Sequence, residues 1–110
     1  MSTTSARDLP GINFDEGILR VAGNESLYVR LLKQFADKHG DDIDRLCDAL
    51  NAGDEARARE ILHTLKGVAG SISLDDLHEA VCTFDEGVDA ERLALMQEHM
   101  RVAKASIAQL

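Results

Sequence analysis

An all-α fold is what the sequence predicts, and three observations carry that prediction. Apolar residues recur at three- and four-residue intervals, no segment alternates with a period of two, and the single proline, Pro10, precedes the first helical stretch. Aromatic residues are limited to Tyr28, Phe14, Phe35 and Phe84, with no tryptophan, so the interior has to be built from Leu, Ile, Val, Ala and Met, which suits helices. With 110 residues, 45% of them apolar, one core and one domain are expected, spanning 9–110. Residues 1–8, MSTTSARD, are polar and aperiodic and read as a disordered lead-in.

The elements follow from caps and stripes. After a turn at LPGI (9–12), Asn13 with Glu16 three residues on has the form of a capping box, and Gly23 closes this short first helix. Asn24 opens a second helix, striped by Leu27, Leu31, Leu32 and Phe35, that stops at Gly40. Asp41 opens a third over Ile43, Leu46, Cys47 and Leu50, closed near Gly53, and Asp54 opens a fourth. Ser73, with Asp76 three residues later, is expected to cap a fifth helix that buries Leu77, Val81, Phe84 and Val88 and ends at Gly87. Asp89 opens the last, in which Leu93, Met96, Met100, Ala103, Ile107 and Leu110 recur at 3-4-3-4-3, the seam of a helix packed nearly parallel to its neighbours. Loops of one to three residues make sequential long helices antiparallel neighbours. The expectation is an antiparallel four-helix bundle with a short additional N-terminal helix.

Charge and cysteine content narrow the function. A net charge of −8 repels phosphate backbones and anionic lipid, which argues against nucleic acid and membrane surfaces as partners. No apolar run approaches the roughly 18 residues of a spanning helix, and no signal peptide opens the chain, so a cytoplasmic protein without membrane insertion is expected. Cys47 and Cys82 fall at apolar helix positions and read as buried free thiols, with a disulfide or metal pair as the alternative.

The fourth helix carries the puzzle. The stretch HTLKGVAG (63–70) holds Gly67 and Gly70 inside a helical pattern, where each costs about 1 kcal/mol relative to alanine. At about 100° per residue, Ala58, Ile61, Leu62, Leu65, Val68, Ala69 and Ile72 fall on one side, the core side. Around His63 on the other side lie Arg59, Glu60, Lys66, Gly67 and Gly70, so both glycines are expected to bare the backbone beside a solvent-facing imidazole. Phosphoryl transfer through histidine fits this pattern. Neutral imidazole is a nucleophile near pH 7 without a neighbouring base. An ammonium such as Lys66 balances the charge on the transferred group, and a missing side chain at 67 lets an in-line donor approach the ring. The distal ring nitrogen is the better placed of the two, although the sequence leaves open which one reacts.

HTLKGVAGSI resembles the H-x-L-K-G-x-A pattern of histidine-containing phosphotransfer (HPt) domains of two-component phosphorelays. The lead-in LPGINFDEGILRVAGNESLYVRLLKQF is similar to the first part of such domains, particularly those at the C-termini of hybrid sensor kinases. The resemblance implies a four-helix bundle that presents a histidine to receiver domains. His63 is then the phosphorylated residue, Lys66 its charge partner and Gly67 the clearance; from their shared helix face, Gly70, Arg59 and Glu60 are expected with Gly67 in the partner-docking surface. It further implies a phosphocarrier without its own kinase activity or bound cofactor, with Mg²⁺ supplied in the partner receiver. The implied partners are response-regulator receivers and hybrid kinases, and a single capped bundle suggests a monomer. Many relatives carry glycine ten residues after the histidine; Ser73 stands there, which implies a changed turn without lost function. The stretch between the fifth and sixth helices is also short for the family.

Two other classes compete. Glu60 and His63 have the Glu-x-x-His spacing of di-iron bundles, but such ligands point into the interior and come in two sets, and DDLH (75–78) supplies only Asp at the matching position. His78 and Cys82 at i, i+4 are two ligands and do not make a site. A non-catalytic helical adaptor would use the face around Gly67 only to dock a partner, and would tolerate His63→Gln. No glycine-rich nucleotide loop is present, so the chain is not expected to use ATP itself. His39 is expected at helix-terminal carbonyls or solvent, and His99 at the surface.

Overall fold

The computed structural model describes residues 9–110. The lead-in assigned to 1–8 lies outside the described residues. Among them are six helices and no strand: α1 (Phe14–Arg20), α2 (Glu25–His39), α3 (Asp42–Asn51), α4 (Glu55–Ser71), α5 (Asp75–Glu86) and α6 (Ala90–Ile107).

Four helices start as their sequences dictate. Side-chain oxygens of Asn13, Asn24, Asp54 and Asp89 accept from the backbone N–H three residues on, at 3.3, 3.1, 3.1 and 2.8 Å. Asp41 makes no side-chain cap bond. The capping box at α1 is only half formed, because the Asn13 N–H donates to the Ser73 carbonyl at 3.0 Å. Glu16 instead accepts from the Ser73 hydroxyl at 2.9 Å.

Ser73 itself is not the α5 cap; Leu74 holds that position without a side-chain bond. Ser73 sits at φ +58°, the left-handed conformation in which glycine is at home, and the Leu74 N–H reaches back to the Ala69 carbonyl at 3.0 Å. The turn expected to change therefore takes a glycine-like course with a serine in it.

Left-handed residues stand in two of the reversals, while α5 and α6 pack together across a connection that contains none. Gly53, between α3 and α4, has φ +72°, and like α4·α5 that pair packs together. Between α2 and α3, by contrast, Gly40 stays right-handed at φ −58°, and its N–H continues the helical pattern to the Ala36 carbonyl. The expected side-by-side packing of α2 on α3 is corrected accordingly: α2 takes α6 as its main partner, and α3 packs on α4 and α6. The molecule is long, 49 × 22 × 22 Å.

The core collects Leu32, Phe35, Leu46, Leu65, Leu77, Val81, Phe84, Met96 and Met100, all buried. Val88 leaves the stripe assigned to it, at 64% exposure, because α5 ends at Glu86 and helical spacing no longer governs the next residues. Tyr28, missing from the expected stripe, is 1% exposed; its hydroxyl donates to the Ile72 carbonyl at 2.6 Å and its ring meets Phe14 edge-on. A Cβ on Gly17 would lie 2.0 Å from that ring, so the glycine is there for close approach. These contacts fasten the N-terminal segment to the α4–α5 turn and leave the middle of α4 uncovered.

Candidate functional site

Helix α4 divides cleanly between core and solvent. Ala58, Leu62, Leu65 and Ala69 are buried, while Arg59, Glu60, His63, Lys66 and Gly67 are exposed. Three of these, Arg59, His63 and Lys66, line one shallow depression of about 190 Å³. Leu62 from α4 and Val81 from α5 contribute its apolar surface, and Asp85 of α5 adds a carboxylate. Among the described residues, no hydrogen bond or ion pair engages the side chains of Arg59, His63, Lys66 or Asp85. The imidazole is thus left free to meet an incoming group, with two cations and one carboxylate around it and apolar surface below.

The two glycines part company. A Cβ built on Gly67 meets nothing within 4 Å, so the surface beside His63 is open and no helix packing calls for the glycine. Gly70 does not share that opening. A Cβ there would lie 3.1 Å from the His78 ring on α5, and the residue is half-buried. Helical spacing places both on one face, but Gly70 lies a turn further along, against the helix that packs alongside.

Asp85 is the residue that reading α4 alone missed. It lies one helical turn after Val81, on the flank of the α5 stripe that meets α4. That spacing was visible, but its meaning required knowing that α4 and α5 pack together. Glu60 is exposed and does not line the depression. It and His63 face solvent, away from the interior where di-iron ligands would converge. His78 Nε2 lies 3.8 Å from Cys82 Sγ, both cysteines are free thiols and half-buried, and among the described residues no three His, Cys, Asp or Glu side chains converge as a metal set. His39 is corrected too: its Nδ1 donates to the buried Asp42 carboxylate at 2.7 Å and its ring lies against Phe35. His99 is half-buried between α5 and α6.

A family model described as Hpt domain matches residues 30–110, which takes in the whole of α3 to α6 and every residue of the depression. The chain belongs to the Hpt domain family. No curated protein and no solved structure gives a significant match. Membership connects the chain to phosphotransfer in two-component signalling, where Hpt domains are phosphocarriers rather than kinases and work with receiver domains and kinases. Among the described residues of this Hpt domain, no helix is long and apolar enough to cross a membrane.

Proposed function

We propose that this Hpt domain is a phosphorelay intermediate: His63 accepts a phosphoryl group from the aspartyl phosphate of one receiver domain and passes it to the aspartate of another. The observation that carries the reading is the unpartnered, exposed His63 beside Lys66, with open space at Gly67. In the forward step the distal imidazole nitrogen attacks phosphorus in line. The P–O bond to the donor aspartate breaks, its electron pair returns to the carboxylate, and a P–N bond forms. Lys66, and Arg59 one turn before His63, balance charge on the equatorial oxygens. Mg²⁺ belongs to the receiver, and this chain binds no cofactor of its own. Gly67 leaves room for the receiver's acidic site, with Arg59 and Glu60 in the contact surface and Gly70 at its α5 flank.

The scaffold for this presentation is an antiparallel four-helix bundle. The packed pairs α3·α4, α4·α5, α5·α6 and α6·α3 close a ring, and three-residue connections between sequential members support antiparallel neighbours. We place the protein in the cytoplasm as a monomer, with response-regulator receivers and a hybrid kinase as its partners.

Incubation with a phosphorylated receiver tests the function. The wild-type chain should gain an acid-labile, alkali-stable phosphate, because a phosphoramidate breaks once its ring nitrogen is protonated. His63→Gln should gain none. Equal labelling of both proteins would refute the proposal, and normal signalling by His63→Gln would favour an adaptor.

A further inference from the structure

We propose that the Asp85 carboxylate, which shares the α4–α5 depression with His63, shortens the residence of the phosphoryl group there by repelling it. The inference rests on His63 being the phosphoryl acceptor. Four charged or ionisable side chains line the depression: Arg59, His63 and Lys66 from α4, and Asp85 from α5. Helices α3 and α6, which pack against these two, contribute nothing to its lining. A phosphoryl group on His63 therefore has two cations to hold it and one anion to push against it, above the apolar surface of Leu62 and Val81.

The fold gives Asp85 no other employment. Its carboxylate makes no hydrogen bond or ion pair among the described residues. It stands in the last turn of α5, the negative end of the helix dipole, and that turn contains no cation. Arg92 of α6 covers the end of this helix, donating to the carbonyls of Gly87 and Thr83 at 3.1 and 3.5 Å. Its ion-pair partner is Asp89, at 3.5 Å. A carboxylate at 85 thus works against helix stability, and the feature it does share is the depression.

The chemistry gives repulsion a direction. When phosphoryl leaves His63, the P–N bond breaks with its electron pair remaining on the ring nitrogen. A P–O bond forms to the acceptor carboxylate, or to a water that sheds its proton to solvent. Like-charge repulsion from Asp85 across the depression exists before departure and is relieved by it, so Asp85 favours the outgoing step while Lys66 and Arg59 favour capture. The site is thereby set for passage rather than storage.

Wild type, Asp85→Asn, Asp85→Glu and Glu86→Gln are phosphorylated by a receiver, freed of it, and followed as phosphohistidine is lost at low and high salt. Asp85→Asn should retain the group about three- to tenfold longer at low salt, a difference that shrinks as salt screens the charge. Asp85→Glu and Glu86→Gln should behave like wild type. With receiver present, Asp85→Asn should shift the equilibrium toward phosphohistidine. An unchanged lifetime in Asp85→Asn, or a difference insensitive to salt, overturns the inference. Slower transfer with an unchanged lifetime also overturns it, by making Asp85 a receiver contact. If wild type takes no label on His63, the underlying phosphorelay reading falls as well; if it does and Asp85→Asn matches it, only the role of Asp85 falls.

Discussion

In the proposed relay, His63, Lys66 and Gly67 form a unit because each would supply what the others lack: a nucleophile, a charge and room. Gly67 tests the last of these, since a Cβ there meets open space at right-handed helical geometry. Gly67→Ala should raise stability by up to about 1 kcal/mol. Gly67→Gln should hold stability, yet fill the space a receiver must enter, so transfer falls by orders of magnitude. Thermal melts beside transfer rates check both, and a stable Gly67→Gln protein with normal rates would contradict the clearance argument. Gly70→Gln should gain less stability than Gly67→Gln, because its Cβ comes within 3.1 Å of the His78 ring, which has to give by a few tenths of an ångström. Lys66→Ala should leave the melt unchanged but slow transfer about ten- to a hundredfold, the range for losing a charge-assisted contact of about 1–3 kcal/mol. Quench-flow kinetics at moderate salt would show it. Of these residues, the shared exposed face of His63, Lys66 and Gly67 was legible from spacing on one helix. Asp85 and the His78 contact of Gly70 were not, because both depend on which helix lies alongside.

Among the elements, the junction of the N-terminal segment with the α4–α5 turn carries the tertiary ties that sequence spacing could not reveal. Tyr28 is its centre. Burial raises its phenol well above the ordinary value of 10.0, and the nearby Asp75 and Glu16 charges add to the effect. The folded chain thus holds the proton after an unfolded chain has released it. The linked stability is complete below the ordinary value and is lost as pH rises above it. Tyr28→Phe should cost about 1–3 kcal/mol at neutral pH by stranding the Ile72 carbonyl, and should flatten the alkaline loss. Denaturant unfolding at neutral and alkaline pH measures both effects; equal alkaline slopes in the two proteins would contradict the linkage. Helix existence was readable throughout, since caps and apolar spacing are local. The Ser73 assignment failed because one residue had to serve the end of α4, with a left-handed backbone, before the start of α5 could be set. Glu16, committed by sequence to a capping box, was claimed instead by the Ser73 hydroxyl from across the molecule.

For the whole molecule, the instructive departure is the α2–α3 junction, where short loop length suggested a reversal and right-handed backbone at Gly40 prevented one. Loop length limits where a helix can go, but the backbone course of the connecting residues decides whether it turns back. The consequence for function is a long molecule whose N-terminal segment is fastened near Ile72 while the middle of α4 remains bare. Within a chain of net charge −8, Arg59 and Lys66 stand beside His63 with one carboxylate, Asp85, which fits the proposed docking of an acidic receiver pocket there. The claim on which everything depends is that phosphate arrives on one particular side chain. Peptide fragmentation mass spectrometry, run under neutral to alkaline conditions after exposure to a phosphorylated receiver, locates it directly. The account predicts a single added phosphoryl group on His63; phosphate on His39, His78 or His99, or on a hydroxyl side chain with His63 unmodified, would contradict it.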